Sequence, residues 1–264
     1  MKWFDHWVEV SRTQKSGENG LIGVKPDRLM SALLSLAYDL YVLRHHSKLQ
    51  DEMVNRLRHR DQFHGARYEL GVAPTFVRAG SAFDYEDETD GIKSTSNSSR
   101  RSCRAASAAV KAKARMRKVT GDFDVASIRP GVKDLLTNAA SKVSDLPLIV
   151  FVELNLPPEN TERPTWIPQA RQVIAAIKAA HGGRSPFAAV IFTNRPHVHG
   201  APGQSDPGKH VYAIWPADNG LPDEFVVALG NAAHQYGNVP SFFPDDFRRP
   251  PEIEDHGERQ KADG

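Results

Sequence analysis

Two continuous apolar runs separated by an amphipathic segment constrain this chain more than any other feature. Residues 146–155 read LPLIVFVELN and residues 185–194 read SPFAAVIFTN, and both are rich in apolar residues that favour strands. Between them, residues 166–183 (WIPQARQVIAAIKAAHGG) repeat apolar residues at helical spacing and end at glycines. A strand that is apolar on both sides must be covered on both sides. The pattern therefore predicts two buried strands joined by a helix.

Other periodic segments extend this alternation of helices and strands. Residues 131–143 and 221–237 have helical spacing, and residues 209–216 (KHVYAIWP) are typical of a further strand. Upstream, residues 27–57 predict one long helix or two, because apolar residues recur at three- and four-residue steps. We therefore expect an α/β fold preceded by helices, a pattern that fits many folds and specifies no activity.

A further helix is predicted for residues 63–80, with Gly80 as its C-terminal stop. Pro74 lies inside this segment and has no backbone N–H to donate, so we expect a kink or a break near Val72. Glu69 lies in the middle of the same segment. It is either a solvent-facing helix residue or a carboxylate that leans toward the edge of the sheet as a metal ligand.

The overall composition narrows the class of protein. The 264 residues are 40% hydrophobic with a net charge of +2, which suits one sizeable core and gives no global basic field for nucleic acid. The single cysteine, Cys103, excludes a disulfide framework and a cysteine-rich zinc site. The apolar runs are too short to span a bilayer, and the first residues, MKWFDHWVEVSRT, have no apolar signal core. We predict a cytoplasmic protein with no membrane partner.

Two neighbouring segments carry opposite charge. Residues 93–119 contain nine Lys or Arg residues and no acid, whereas residues 84–90 contain five acids around Asp87. The acidic run either binds a divalent cation through residues such as Asp87 or forms a solvated turn. The basic segment either follows the phosphates of a nucleic acid or is a solvated strand face. Its candidate phosphate contacts are Arg101, Lys111, Arg115 and Arg117, the last three of which share a predicted strand face with Lys113.

Residues 94–109, within the basic segment, are poor strand material. They are mainly Ser, Arg and Ala, and Thr95 is their one β-branched residue. We expect a loop or a poorly ordered sheet edge there. Because the unusual composition is confined to one block, a local reading-frame shift is one hypothesis for it, and the nucleotide sequence of codons 90 to 115 tests that hypothesis.

A loop rich in proline and glycine follows the predicted strand that ends at Asn194. It contains His197 and His199, and His210 comes at its end. Two histidines two residues apart can share a strand face, and with a carboxylate such as Asp206 they would suit zinc. Alternatively, Asn194 and Arg195 contact a phosphate or another substrate group at the C-terminal end of the strand, where α/β proteins bind ligands.

Five segments occur in a fixed order between about residues 29 and 243: RLRHRDQFHGARYELGVAPTFVRAGSAFDYEDE, VKAKARMR, LIVFVELNLPP, VIFTNRPHVHG and NAAHQYG. Together they resemble a bacterial family with features of PD-(D/E)xK nucleases, the restriction-endonuclease-like group. The resemblance implies a three-layer α/β/α core over residues 61–243 behind an N-terminal helical extension over residues 1–60, with DNA as partner. Residues 244–264, rich in acids and prolines, are predicted to be a disordered tail.

The resemblance also implies site residues. In such nucleases carboxylates hold Mg²⁺, which activates the attacking water, and a lysine assists. Glu69 matches the helix glutamate and Lys113 matches the strand lysine, while Asp87 is a further candidate ligand. The family reads Val-Glu-Ala-Lys at the strand, whereas this chain has Lys111 at the acid position. Because a cation there repels Mg²⁺, we expect a nuclease-like protein with an incomplete metal site and weak or absent cleavage.

Two other functions stay open at this point. One is non-catalytic nucleic-acid binding through residues 93–118, which a steep salt dependence of binding would indicate. The other is a zinc-dependent enzyme built around Asn194, His197 and His199, which stoichiometric zinc in the purified protein would indicate. The pattern does not specify an oligomeric state.

Overall fold

A computed structural model of the chain describes residues 28–44, 47–59, 61–83, 98–101, 107–114, 124–141, 146–157, 159, 161, 163–194 and 210–235. Within these residues the strands are β1 (Ser81–Phe83), β2 (Ser98–Arg101), β3 (Ser107–Ala114), β4 (Leu148–Glu153), β5 (Ala189–Asn194) and β6 (His210–Ile214). The helices are α1 (Arg28–Val42), α2 (Ser47–Arg58), α3 (Phe63–Arg78), α4 (Ile128–Ala140), α5 (Ile167–Ala180) and α6 (Asp223–His234). None of these helices is long and apolar enough to cross a membrane.

The six strands form one mixed sheet whose strand order follows the sequence. Strands β3, β4 and β5 are parallel, whereas β1, β2 and β6 pair with their neighbours in antiparallel fashion. Helices α4 and α5 connect the parallel strands, because a parallel pair needs a crossover connection. The α/β fold predicted from the alternation of segments is confirmed, and the strands predicted at 146–155, 185–194 and 209–216 are β4, β5 and β6.

Helices cover both faces of the sheet, because its central strands are apolar on both sides. Every residue of β4 and of β5 is buried. On one face, Ile149 and Phe151 of β4 pack with α3 and α6. On the other face, Leu148 and Val150 pack with α4 and α5. Across the first face, the ring of Phe151 meets Phe76 of α3 with centroids 5.7 Å apart.

The predicted N-terminal helical segment forms two helices rather than one. Helix α1 ends at Val42, α2 begins at Ser47, and both pack against α3. Asp39 of α1 is buried and accepts a hydrogen bond from Arg67 of α3 at 2.9 Å. Met53 of α2 is buried in the same apolar cluster as the sheet-facing residues of α3. The two helices therefore share a core with the first face of the sheet.

Helix α3 is continuous from Phe63 to Arg78, so of the kink or break predicted near Val72 the break is wrong. Pro74 removes one helical hydrogen bond, a cost of about 3 kcal/mol or more in a helix interior. Close by, the Thr75 hydroxyl donates to the carbonyl oxygen of Gly71 at 3.2 Å. All residues from Leu70 to Phe76 are buried, so packing against the sheet holds the helix together through the proline.

Strand β2 rules out a loop throughout residues 94–109, which is one of the two alternatives expected there. Ser98–Arg101 pairs with β1 on one side and with β3 on the other. The backbone of a strand inside a sheet is satisfied on both edges whatever its side chains are, so pairing here overrides poor strand propensity. Ser107–Ala109 likewise begins β3.

Candidate functional site

The parallel strands β3, β4 and β5 end at one edge of the sheet, which we call the carboxyl edge. Glu153 is the last residue of β4, and Asn194 is the last residue of β5. The Glu153 residue is 8% exposed and Asn194 is 0% exposed. Ligands of α/β proteins bind at such an edge, and buried polar groups need partners. The partners of these two side chains therefore define the candidate site.

The Glu153 carboxylate accepts hydrogen bonds from a side chain and from the backbone at the carboxyl edge. Oε2 accepts from the Thr193 hydroxyl of β5 at 2.7 Å, and Oε1 accepts from the backbone N–H of Asn155 at 3.2 Å. Asn155 has a φ of 50°, in the left-handed region that asparagine tolerates better than most residues. In this conformation the backbone N–H of Asn155 points back to the carboxylate of Glu153, two residues earlier in the chain.

Tyr68 of α3 extends the Glu153 hydrogen bonds into a chain. Its hydroxyl lies 2.9 Å from Thr193 Oγ1, and both residues are buried. Because Thr193 has a single hydroxyl proton and directs it to Oε2 of Glu153, Tyr68 is the donor to Thr193. The chain Tyr68–Thr193–Glu153 thus connects α3, β5 and β4 at the carboxyl edge.

Asn194 fixes the chain beyond β4. Its Oδ1 accepts a hydrogen bond from the backbone N–H of Leu156 at 2.7 Å. Its Nδ2 is buried, and within the described residues it has no hydrogen-bond partner. His210 of β6 is its register partner, and Nε2 of that ring donates to the backbone oxygen of Glu159 at 3.1 Å. An unused buried donor is a feature that a water or a polar ligand would satisfy.

Glu69, the predicted metal ligand of α3, is engaged by an arginine. Arg56 of α2 donates from Nη1 to Oε2 at 2.6 Å and from Nη2 to Oε1 at 2.9 Å. The side chains of Arg56 and Glu69 are 25% and 29% exposed. This is the paired geometry in which a guanidinium occupies both oxygens of a carboxylate. A metal ion would have to displace the guanidinium to bind Glu69.

The two lysines of β3 lie on the face of the sheet opposite to Glu69. Lys111 Nζ donates to the carbonyl oxygen of Ala139, in the last turn of α4, at 3.0 Å. Val110, the residue before it, packs in the apolar cluster of α3. Because side chains alternate along a strand, Lys113 lies on the same face as Lys111. The structure therefore does not bring Glu69 and Lys113 together.

The described members of the predicted metal site do not fit Mg²⁺. This ion prefers carboxylate oxygens in octahedral geometry, whereas the carboxylate of Glu69 is paired with Arg56 and the β3 positions offer ammonium groups on the other face. Among the described residues, no group of three or more His, Cys, Asp or Glu side chains is arranged to hold a metal ion.

Several predicted site residues fall outside the described part of the chain. They are Asp87, Arg115, Arg117, His197 and His199. Arg101 is the last residue of β2, and its register partner is Ser81 of β1. The zinc site and the acidic cation site therefore stay predictions.

Sequence reasoning missed Glu153, Thr193 and Tyr68. The available signal was the acid at the end of LIVFVE, since a carboxylate at the end of a strand buried on both faces needs hydrogen-bond donors. Neither the threonine nor the tyrosine carries a local signal, because their pairing joins residues that are 125 positions apart.

Comparison of the chain with family models, with curated proteins and with solved structures gives no match.

Proposed function

We propose that this chain is a DNA-binding protein with a restriction-endonuclease-like core and an incomplete metal site, so that it binds DNA with weak or absent cleavage. The observation that carries the proposal is the position of Lys111. Its ammonium group donates to the carbonyl oxygen of Ala139. The PD-(D/E)xK motif has a carboxylate at the sequence position that Lys111 takes here.

Two physical effects hold the Lys111 cation in place and oppose a metal there. The last carbonyl groups of a helix carry partial negative charge and lack helical donors, so an ammonium group near the end of α4 is stabilised. Mg²⁺ needs oxygen ligands, and Lys111 offers none while adding like charge. Replacing a carboxylate by this lysine therefore removes a metal ligand and adds a repulsive group in its position.

The order of elements supports the restriction-endonuclease-like part of the proposal. A helix that carries a glutamate, α3 with Glu69, comes before β1 and β2, and Lys113 follows on β3. Helices α3 and α4 then lie on opposite faces of the sheet. This is the order of helix glutamate, strand and lysine-bearing strand that the resemblance implies.

The cleavage part of the proposal is tested with supercoiled plasmid and linear duplex DNA in Mg²⁺ and in Mn²⁺. We expect the unmodified protein to give no cleavage above that of a Lys113→Ala variant. The Lys111→Glu variant, which returns an acid to the motif position, is assayed beside them. Robust cleavage by the unmodified protein that Lys113→Ala abolishes would contradict the proposal.

The binding part is tested by fluorescence anisotropy with a labelled duplex over a salt series. Cations that contact phosphates release counterions, so affinity should fall steeply between roughly 50 and 200 mM salt. Binding should persist in EDTA, since the proposed binding does not need the metal. If the protein does not bind the duplex at low salt, the proposal is contradicted.

A further inference from the structure

Helices α4 and α5 form an outer surface, here called the α4–α5 surface, that is rich in cations and poor in acids. Arg129 and Lys133 of α4 and Arg171 and Lys178 of α5 are all exposed. Asp134 is the one acid in the two helices. Helix α6, on the opposite face of the sheet, has two acids and neither Lys nor Arg. The α4–α5 surface therefore carries an excess of cations that α6 lacks.

The cations of α4 face α5. Arg129 Nη1 donates to Oε1 of Gln172 in α5 at 3.1 Å, which places this arginine above the line where the two helices meet. Lys133 lies four residues further along α4, so it shares a face with Arg129, with about 5–6 Å between their Cβ atoms. These two residues form the first row of cations.

The cations of α5 lie on its other flank, away from α4. The Arg171 guanidinium lies over the ring of Tyr212 in β6, 5.3 Å from its centroid, and Nε donates to the hydroxyl of that tyrosine. Lys178 follows seven residues later, which is about two turns and about 10.5 Å along the same flank. These two residues form a second row, so cations lie on both sides of α5.

Between the two rows, the outer ridge of α5 carries mainly small side chains. It exposes Gln172, Ala175, Ala176 and Ala179. Methyl side chains let the backbone of a helix approach another surface closely, and this ridge carries no acid that would repel a polyanion. A helix is about 10–12 Å in diameter with its side chains, and the major groove of a DNA duplex is about 12 Å wide.

We propose that the α4–α5 surface binds duplex nucleic acid, with α5 in the major groove and the two rows of cations on the phosphates of the two strands. The inference rests on the proposed DNA-binding function and assigns to it a surface other than residues 93–118. A duplex fits better than a single strand, because the rows are separated by the width of a helix. In addition, the ridge has no aromatic side chain on which an unpaired base could stack.

The test is a salt series of anisotropy measurements on a duplex of about 20 base pairs, roughly two helical turns. Lys133→Gln and Lys178→Gln each remove one cation from a different row. The negative slope of log K against log salt should become less steep by about 1 in each variant and by about 2 in the double variant. Asp134→Asn, which removes the one acid of the surface, should tighten binding at every salt concentration.

Arg58→Gln is the matched control. Arg58 is an exposed cation at the end of α2, outside the α4–α5 surface, and its replacement changes the net charge by the same amount. The slope should stay unchanged in this variant. If Arg58→Gln weakens binding as much as Lys133→Gln and Lys178→Gln do, the effect is one of net charge and the inference is overturned.

Failure of this inference is distinguishable from failure of the proposed function. A duplex that binds the unmodified protein with the expected salt slope, but with equal affinity in Lys133→Gln, Lys178→Gln and Asp134→Asn, overturns the α4–α5 surface and leaves DNA binding intact. A duplex that does not bind the unmodified protein overturns both. Vesicles of anionic lipid are measured in parallel, and binding to vesicles without binding to the duplex overturns the assignment to nucleic acid.

Discussion

The hydroxyl of Thr193 donates to Oε2 of Glu153 at 2.7 Å, inside a region where both residues are less than one-tenth exposed. The bond joins the ends of two parallel strands on the side that α3 covers. When a buried carboxylate oxygen loses its hydrogen-bond donor, nothing compensates for its removal from water, so the folded state is destabilised. This relationship gives the first prediction.

Thr193→Val keeps the shape of the side chain and removes the hydroxyl. We expect a loss of about 1–3 kcal/mol in the free energy of unfolding, because Glu153 Oε2 then lacks this donor in a buried position. Urea denaturation measures the change. Thr137→Val, at an exposed threonine of α4, is the matched control and should change the stability by less than about 0.5 kcal/mol. Equal stability of Thr193→Val and the unmodified protein would show that the bond contributes little.

The Tyr68 hydroxyl should be energetically coupled to Thr193. Tyr68→Phe alone removes one hydrogen bond between α3 and β5, and in a Thr193→Val background that bond is already absent. A double-mutant cycle should therefore give an interaction energy of about 0.5–3 kcal/mol. If the losses of the two single variants add within about 0.5 kcal/mol, the two hydroxyls act independently and the proposed chain is wrong.

The pair of Arg56 and Glu69 should contribute little to stability despite its two short hydrogen bonds. Both side chains are about a quarter exposed, and ion pairs with this access to solvent are typically worth about 0–1 kcal/mol. Glu69→Gln should lower the free energy of unfolding within that range. The effect should shrink as salt is added, because exposed charges are screened.

The same variant tests whether Glu69 binds a metal. The melting temperature of the unmodified protein should be the same in Mg²⁺ and in EDTA, because Arg56 already occupies the carboxylate oxygens. A rise in Mg²⁺ that disappears in Glu69→Gln would identify Glu69 as a ligand, since a metal that binds the folded state stabilises it.

The central strands could be predicted because their sequences allow little else. Runs such as LIVFVE and AVIFTN are too short for most helices and carry apolar residues on both sides of the strand, so they must lie inside a sheet that is covered on both faces. Side-chain alternation then assigns Phe151 and Val150 to opposite faces, as their packing with α3 and with α4 confirms.

Contacts between distant segments could not be predicted in this way. The tie between Tyr68 and Thr193 joins residues 125 positions apart, and the engagement of Glu69 by Arg56 depends on how two helices pack. The pairing of strand β2 and the continuity of α3 through Pro74 also depend on contacts between distant segments. In each case a neighbour in the fold supplies the stabilisation that the local sequence lacks.

Phe151→Ala should be among the most destabilising single changes in the chain. The ring is fully buried at the centre of the sheet and meets Phe76 of α3 edge to face. Removal of the ring should cost about 3–5 kcal/mol through lost burial and the cavity left behind. Val227→Ala is the control, because Val227 of α6 is 62% exposed and its loss should cost less than about 0.5 kcal/mol.

Lys111 should stabilise the end of α4 whether or not the protein binds DNA. Lys111→Met keeps most of the apolar stem and removes the ammonium group that donates to Ala139. We expect a loss of about 0.5–1 kcal/mol in the free energy of unfolding, the typical worth of a cation near a helix C-terminus. Lys113→Met, on the same face of β3, is the control and should change stability less. If the two variants are equally stable, the hydrogen bond from Lys111 to Ala139 does not stabilise the end of α4.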